Sequence, residues 1–170
     1  MNFSNGKFTV QAIRRAAELG WTPRMYLPIG SSSIASILQP AGLERAVGAI
    51  TIASQKNPLD PQWSNDPGMK EYFEFMKRWA PALDPLESLN TIGYSSARML
   101  ADVLRRCGDE LTRDNVMRKM LSLKDYTTPM LLPGVSATTG PDDYELYSSS
   151  RLQRFDGKSW VPFGEPVTTR

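Results

Sequence analysis

The stretch Arg24-Met25-Tyr26-Leu27-Pro28-Ile29-Gly30-Ser31-Ser32-Ser33 decides how this chain is read. Met25-Tyr26-Leu27 is a short apolar run of the kind that makes a buried strand. Pro28 ends it, because proline cannot donate to a sheet ladder. Gly30 and three serines follow. Helical patterns flank the stretch on both sides, so the unit reads as α/β. In such units ligands sit in the crevice beyond the carboxyl ends of the strands. Two readings of residues 30–33 stand side by side. In one, Gly30 lets the backbone approach a ligand while Ser31, Ser32 and Ser33 offer hydroxyls. In the other, the serines form a polar strand-to-helix connection, with Ser33 or a neighbour as helix N-cap.

Before that stretch, residues 8–19 read as a helix with Val10, Ile13, Ala16 and Ala17 inward and Gly20 as a left-handed stop. After it, residues 34–38 form a short helix that Pro40 ends. Leu43 to Val47 makes another helical turn, and the β-branched run 49–53 is a strand. A long polar loop, 54–65, marks a boundary or a functional crossover. Asp66-Pro67 starts a helix, with Asp66 as N-cap and Pro67 at the first helical position. Met69, Tyr72, Phe73, Met76 and Trp79 fall on its inward face. Residues 90–107 form the strongest helix, with Ile92, Ala97, Leu100, Val103 and Leu104 on one side. A further helix covers 115–123, with Val116, Met117, Met120 and Leu121 inward. Met130-Leu131-Leu132 is an apolar run closed by Pro133-Gly134. The last segment is a hairpin: 150–155 pairs with 158–163 around Asp156-Gly157.

Several chemistries are excluded by what the sequence lacks. The 170 residues contain no histidine, which removes Ser-His-Asp and Cys-His catalysis and the commonest transition-metal ligand. Cys107 is the single cysteine, so there is neither an internal disulfide nor a cysteine zinc cluster. Nucleotide-binding glycine motifs are absent. Lys and Arg number 20 against 18 acids, with no basic block, so nucleic acid is not an expected partner. The pair Asp142-Asp143, set among Gly140, Pro141 and Tyr144, reads as a solvated turn. No window approaches the ~18 apolar residues of a membrane span, so no membrane insertion is expected. The first six residues have no charged and apolar leader pattern, so the chain as given is expected to stay in the cytoplasm. No cofactor is expected.

Read together, six stretches resemble one family. They are Gln11-Ala12-Ile13-Arg14-Arg15-Ala16-Ala17-Glu18-Leu19-Gly20-Trp21, Leu38-Gln39-Pro40-Ala41-Gly42-Leu43, Asp60-Pro61-Gln62-Trp63 with Asp66-Pro67-Gly68-Met69, Ile92-Gly93-Tyr94-Ser95, Leu131-Leu132-Pro133-Gly134-Val135, and Arg154-Phe155-Asp156-Gly157-Lys158-Ser159-Trp160. The chain resembles the C-terminal half of the periplasmic solute-binding proteins of branched-chain amino acid ABC transporters, the leucine/isoleucine/valine-binding type.

That resemblance implies a partial type I periplasmic-binding-protein fold: two doubly wound α/β lobes, each incomplete here, with a C-terminal β-hairpin. Residues 1–48 would belong to the second lobe, 49–55 would be a crossover and 56–143 would belong to the first lobe. Residues 144–170 would hold a second crossover and the hairpin returning to the second lobe. The implied function is binding of a small amino acid or an aromatic or aliphatic carboxylate in the interlobe cleft, and delivery to an ABC transporter permease in the periplasm. A ligand-sensing receptor of the same fold is the alternative. Gly30, Ser31, Ser32, Ser33 and Tyr94 are the implied ligand-binding residues. In amino-acid-binding members the frame Pro28-Ile29-Gly30 resembles Pro-Glu-Gly, whose acid pairs with the ligand ammonium. The isoleucine here suits a ligand without an ammonium group. Longer family members carry upstream the groups that hold a ligand carboxylate, so this stretch, a substrate-binding component or a truncated remnant of one, is expected to bind weakly on its own.

Overall fold

The computed structural model describes residues 1–168. Helix α1 spans Lys7–Glu18 and buries Thr9, Ile13 and Ala16. It ends as its sequence dictates: Gly20 takes a φ of 64°. Gly20 N–H then donates to Ala17 O and Trp21 N–H to Ala16 O, the paired bonds of a Schellman stop.

Met25–Leu27 does run parallel to the next strand, but as one bridge rather than a ladder. Tyr26 faces Ile50, with Leu27 N–H donating to Ile50 O at 2.9 Å and Ile50 N–H to Met25 O at 2.8 Å. The pairing stops there because the chain turns into a 3-10 turn, Ile29–Ser31. On its other side Tyr26 O accepts from Asn2 N–H.

The helix expected to end at Pro40 continues through it. Ile34–Leu38 is a π-turn, and Gln39–Ala41 is a single α turn, α2, that contains Pro40. Leu38 N–H donates to Ser33 O, five residues back. The wider turn makes room for the proline ring, which has no N–H to give to the helix. A 3-10 turn, Leu43–Ala46, follows.

Strand β1 is Ile50–Ala53, β2 is Ser149–Phe155 and β3 is Trp160–Thr168. They form one antiparallel sheet in the order β1-β2-β3, with Ile50 opposite Arg154 and Phe155 opposite Trp160. The hairpin lies where expected, with a longer turn and a longer last strand. Asp156 Oδ1 accepts from the amides of Lys158 and Ser159 at 2.7 and 2.8 Å. These two donors hold the Asp156 carboxyl below the usual carboxylate range and spread the turn over residues 156–159.

The segment between the sheet strands is helical. Helix α3, Pro67–Trp79, starts at Asp66, whose Oδ1 accepts from Met69 N–H at 2.9 Å. Gly68 in its first turn lies against Pro129, where an added Cβ would sit 2.5 Å from Pro129 O. Met69, Tyr72 and Met76 are buried, but Trp79 is not: the chain turns away after Ala80 and leaves it 65% exposed.

Helix α4, Ser88–Cys107, presents a different face from the expected one. Thr91, Tyr94, Ser95, Met99, Val103 and Cys107 are buried. Ile92, Leu100 and Leu104 are exposed. The small polar side chains turn inward because partners wait there: Ser95 Oγ donates to Gln55 Oε1 at 2.9 Å and accepts from Thr128 Oγ1 at 3.2 Å. Helix α5, Arg113–Met120, is capped by Thr112 and buries Asn115, which bonds Glu110 O and Cys107 O. Met117 faces outward there, contrary to its expected place. The run Met130-Leu131-Leu132 is buried and meets the crossover, with Lys56 N–H on Met130 O and Leu132 N–H on Ser54 O.

The apolar core falls into separate clusters. One joins Ile13, Leu27, Ile34, Ile37, Leu38 and Ala49 to Phe155 and Trp160 of the hairpin. Others gather Met69, Tyr72, Met76, Tyr94 and Met130, then Met99, Val103, Leu123 and Ala137, then Leu131, Leu132 and Val135.

Candidate functional site

A cleft opens between the first of these clusters and the N-terminal end of α4. Ile29 and Ser32 form one wall, and Ser88, Leu89, Thr91 and Ile92 form the other. Ala53, Gln55, Lys56 and Asn57 of the crossover line it together with Gln153 and Trp160 of the hairpin. It encloses ≈ 420 Å³ of empty space, part of it open to solvent.

Trp160 is fixed by its Nε1–H, which donates to Ser32 O at 2.8 Å. Its ring packs on Phe155 with centroids 5.4 Å apart. This one bond ties the hairpin to the loop that follows Pro28. Gln55 is oriented by Ser95, as above.

Lys56 is the charged residue of the lining, and its charge is already matched. Its Nζ donates to Asp66 Oδ2 at 2.7 Å and to Pro129 O at 2.8 Å, and it lies 5.2 Å from the Trp63 ring centroid. Burial pushes the Asp66 carboxyl up, but the Lys56 and Met69 donors outweigh it and leave the group below the usual carboxylate range. The cleft lining therefore offers amides, hydroxyls, an indole and aliphatic surface, with no carboxylate among its residues. Among the described residues, no group of three or more His, Cys, Asp or Glu is placed to hold a metal ion. Among the same residues, no helix is long and apolar enough to cross a membrane.

The five residues singled out from the sequence are not brought together. Ser32 lines the cleft, with its own hydroxyl donating to Ile29 O at 2.8 Å. Gly30 faces a different groove, beside Val10, Gln11 and Arg14 of α1. Ser31 is fully buried, its Oγ 2.9 Å from Ser4 O, 3.0 Å from Asn5 Oδ1 and 3.2 Å from Thr9 Oγ1. Ser33 caps the π-turn by accepting from Ser36 N–H. Tyr94 lies in an aromatic cluster, 5.4 Å from Tyr72 and 5.0 Å from Phe75 between ring centroids. Burial raises its phenol, and Arg98 beside its hydroxyl opposes that rise.

The cleft is also lined by polar and aromatic residues outside that set, among them Gln55, Asn57, Thr91, Gln153 and Trp160. One signal for the first two was present: they sit in the long polar loop after β1. Nothing local marks Gln153 or Trp160, which reach the cleft through strand pairing with distant residues.

Comparison with known proteins follows the same outline. A profile described as periplasmic binding protein matches residues 1–157. No curated protein matches the chain in sequence. Among solved structures, a branched-chain amino acid ABC transporter protein from Thermus thermophilus with bound valine superposes with a TM-score of 0.80 at 18% identity. The superposition covers 98% of this chain and 44% of that one. A possible leucine/isoleucine/valine-binding protein from Rhodopirellula baltica SH 1 gives 0.74 at 18% identity, covering 95% of this chain and 41% of the other. A substrate-binding periplasmic protein from Ralstonia solanacearum gives 0.71 at 19% identity, covering 94% and 44%. The chain thus spans less than half the length of these structures and carries a partial type I fold, α/β with a small three-stranded sheet. It belongs to the periplasmic binding protein family.

Proposed function

We propose that the cleft between Ser32 and Thr91 is part of a solute-binding site, and that the chain serves as, or derives from, the substrate-binding component of a branched-chain amino acid type ABC transporter. The observation that carries this reading is the composition of the cleft walls. They come from the loop after Pro28, the crossover, α4 and the hairpin, and they mix oriented amides with Trp160. Binding sites of small molecules combine apolar surface with a few placed polar groups in this way. The family and the valine-bound neighbour support it. In this reading residues 1–48 with the hairpin form one lobe, residues 56–143 form the other, and the walls close on the ligand. The role is binding rather than catalysis, the setting is the periplasm, and the further partner is the permease.

The ligand class follows from the lining. With Ile29 in the loop, no carboxylate lines the cleft itself, and the neighbouring Glu87 is engaged by Ser33 Oγ–H and Leu89 N–H, so an ammonium group has no dedicated acid among the lining residues. Lys56 is held by Asp66 and is no free anion receptor. The ligand is then a small aromatic or aliphatic carboxylate whose acid group is held by parts of the fold that the longer relatives span and this chain does not.

The chain alone should bind such acids in the millimolar range or weaker. Two or three hydrogen bonds of about 0.5–1.5 kcal/mol each are offset by an association cost on the order of 4 kcal/mol or more. Calorimetry of the chain against benzoate, 2-oxoisocaproate, leucine and valine tests this. Weak heats with the acids and none with the amino acids are expected. Tighter binding of leucine or valine than of the acids would overturn the ligand class.

A further inference from the structure

Ser33 and Glu87 meet beside the cleft, and each already has local work. Ser33 Oγ accepts from Ser36 N–H at 3.1 Å and so caps the π-turn. Glu87 Oε1 accepts from Leu89 N–H at 3.3 Å and caps α4. The remaining valences join the two: Ser33 Oγ donates to Glu87 Oε2 at 3.0 Å. Ser33 is buried, next to the Ile34, Ile37 and Leu38 core. Glu87 precedes the helix that carries Tyr94 and Met99 of the other clusters. The bond therefore connects the two sides of the cleft directly. Leu89, two residues on, lines both the cleft and the groove beside α1.

We infer that Ser33 and Glu87 form a latch that holds the cleft closed. This rests on the reading of the cleft as a site whose walls part. Three observations support it. The bond joins Ser33 and Glu87, which directly follow and precede Ser32 and Ser88, residues of opposite cleft walls. A hydroxyl donating to a carboxylate is a charge-assisted bond, stronger than a neutral one. Both side chains are pinned at helix starts, so the bond forms and breaks only as those two helix ends approach and separate. Each side chain can also lose its partner without losing its cap, which lets the wall part with both helices intact.

The test uses the described chain without ligand, with Cys107→Ala and spin labels at two exposed sites, Gln11→Cys on α1 and Arg113→Cys on α5. Ser33→Asp keeps an N-cap for Ser36, because aspartate caps as well as serine, but sets a second carboxylate against Glu87. Pulsed dipolar distance measurement should show a dominant short population and a minor longer one in the parent. It should show an open population raised about tenfold in Ser33→Asp, and restoration in Ser33→Asp with Glu87→Gln, whose amide donates to the new acid. Glu87→Asp, which keeps the α4 cap but shortens the reach, should open the cleft as well and serves if Ser33→Asp fails to fold. An unchanged distance distribution in a folded Ser33→Asp or Glu87→Asp chain overturns the latch. Because no ligand is present, that result leaves the proposed ligand class untouched, and a failed ligand screen leaves the distance result standing.

Discussion

Lys56 Nζ lies 2.7 Å from Asp66 Oδ2, and this pair joins the crossover to the start of α3. Asp66 does two things there, since its other oxygen caps the helix through Met69 N–H. Pro129 O completes the ammonium's shell. Asp66→Ala removes both roles and leaves a buried cation short of its partner. A loss of about 1–3 kcal/mol is expected for a half-buried ion pair and a helix cap lost together. Asp66→Asn keeps the cap and should lose less. Urea denaturation of the three proteins checks the order.

The same pair sets an acid limit. The Asp66 carboxyl is lower in the folded chain than its ordinary value of 3.8. A group depressed by folding contributes stability above its unfolded pKa and loses it as pH falls through the folded value. Stability should therefore hold from neutrality to about pH 4 and fall below it. The fall should be shallower in Asp66→Asn. Denaturant midpoints between pH 6 and pH 2.5 measure both slopes.

Gly68 touches Pro129 so closely that a Cβ would sit 2.5 Å from the proline carbonyl oxygen and 2.6 Å from its Cβ. Neither neighbour is a flexible side-chain end. Gly68→Ala should cost about 1–3 kcal/mol, as overpacking does, despite alanine's better helix propensity. A variant as stable as the parent would show that the α3–Pro129 contact gives way.

The exposed face of α4 predicts an asymmetry. Leu100 is 44% exposed and Leu104 38%, whereas Val103 between them is fully buried. Leu100→Lys with Leu104→Lys should change stability within about 0.5 kcal/mol, as surface changes do, and should reduce self-association in sedimentation velocity. Val103→Ala should cost about 1–3 kcal/mol. A large loss in the double lysine variant would mean that this face is covered in the folded chain.

Local chemistry was legible in the sequence and distant pairing was not. Gly20, Asp66-Pro67 and Asp156-Gly157 act on atoms within a few residues; the structure uses the first two as expected and places the hairpin turn at the third, lengthened to residues 156–159. The faces of α4 were misread because apolar residues were assigned inward. Thr91 and Ser95 turn in instead, Ser95 because Gln55 and Thr128 meet it from far along the chain. Ser31 read as a loop hydroxyl, yet its partners are Ser4, Asn5 and Thr9, more than 20 positions away. Of the candidate site, Ser32 and the polar crossover were visible. Trp160 was seen only as a hairpin residue, because what brings it to Ser32 is the register of β2 and β3.

The most direct measurement is a titration of the labelled chain followed at its indole N–H signals. The four tryptophans are Trp21, Trp63, Trp79 and Trp160. Only Trp160 lines the cleft among them, and its N–H is the one held by Ser32 O. With benzoate raised through the millimolar range, the Trp160 signal and the side-chain amides of Gln55 and Gln153 should shift together along one saturating curve. Trp21 and Trp79 should stay in place. Saturating shifts at Trp21 or Trp79 with Trp160 unmoved would contradict the cleft as the binding site.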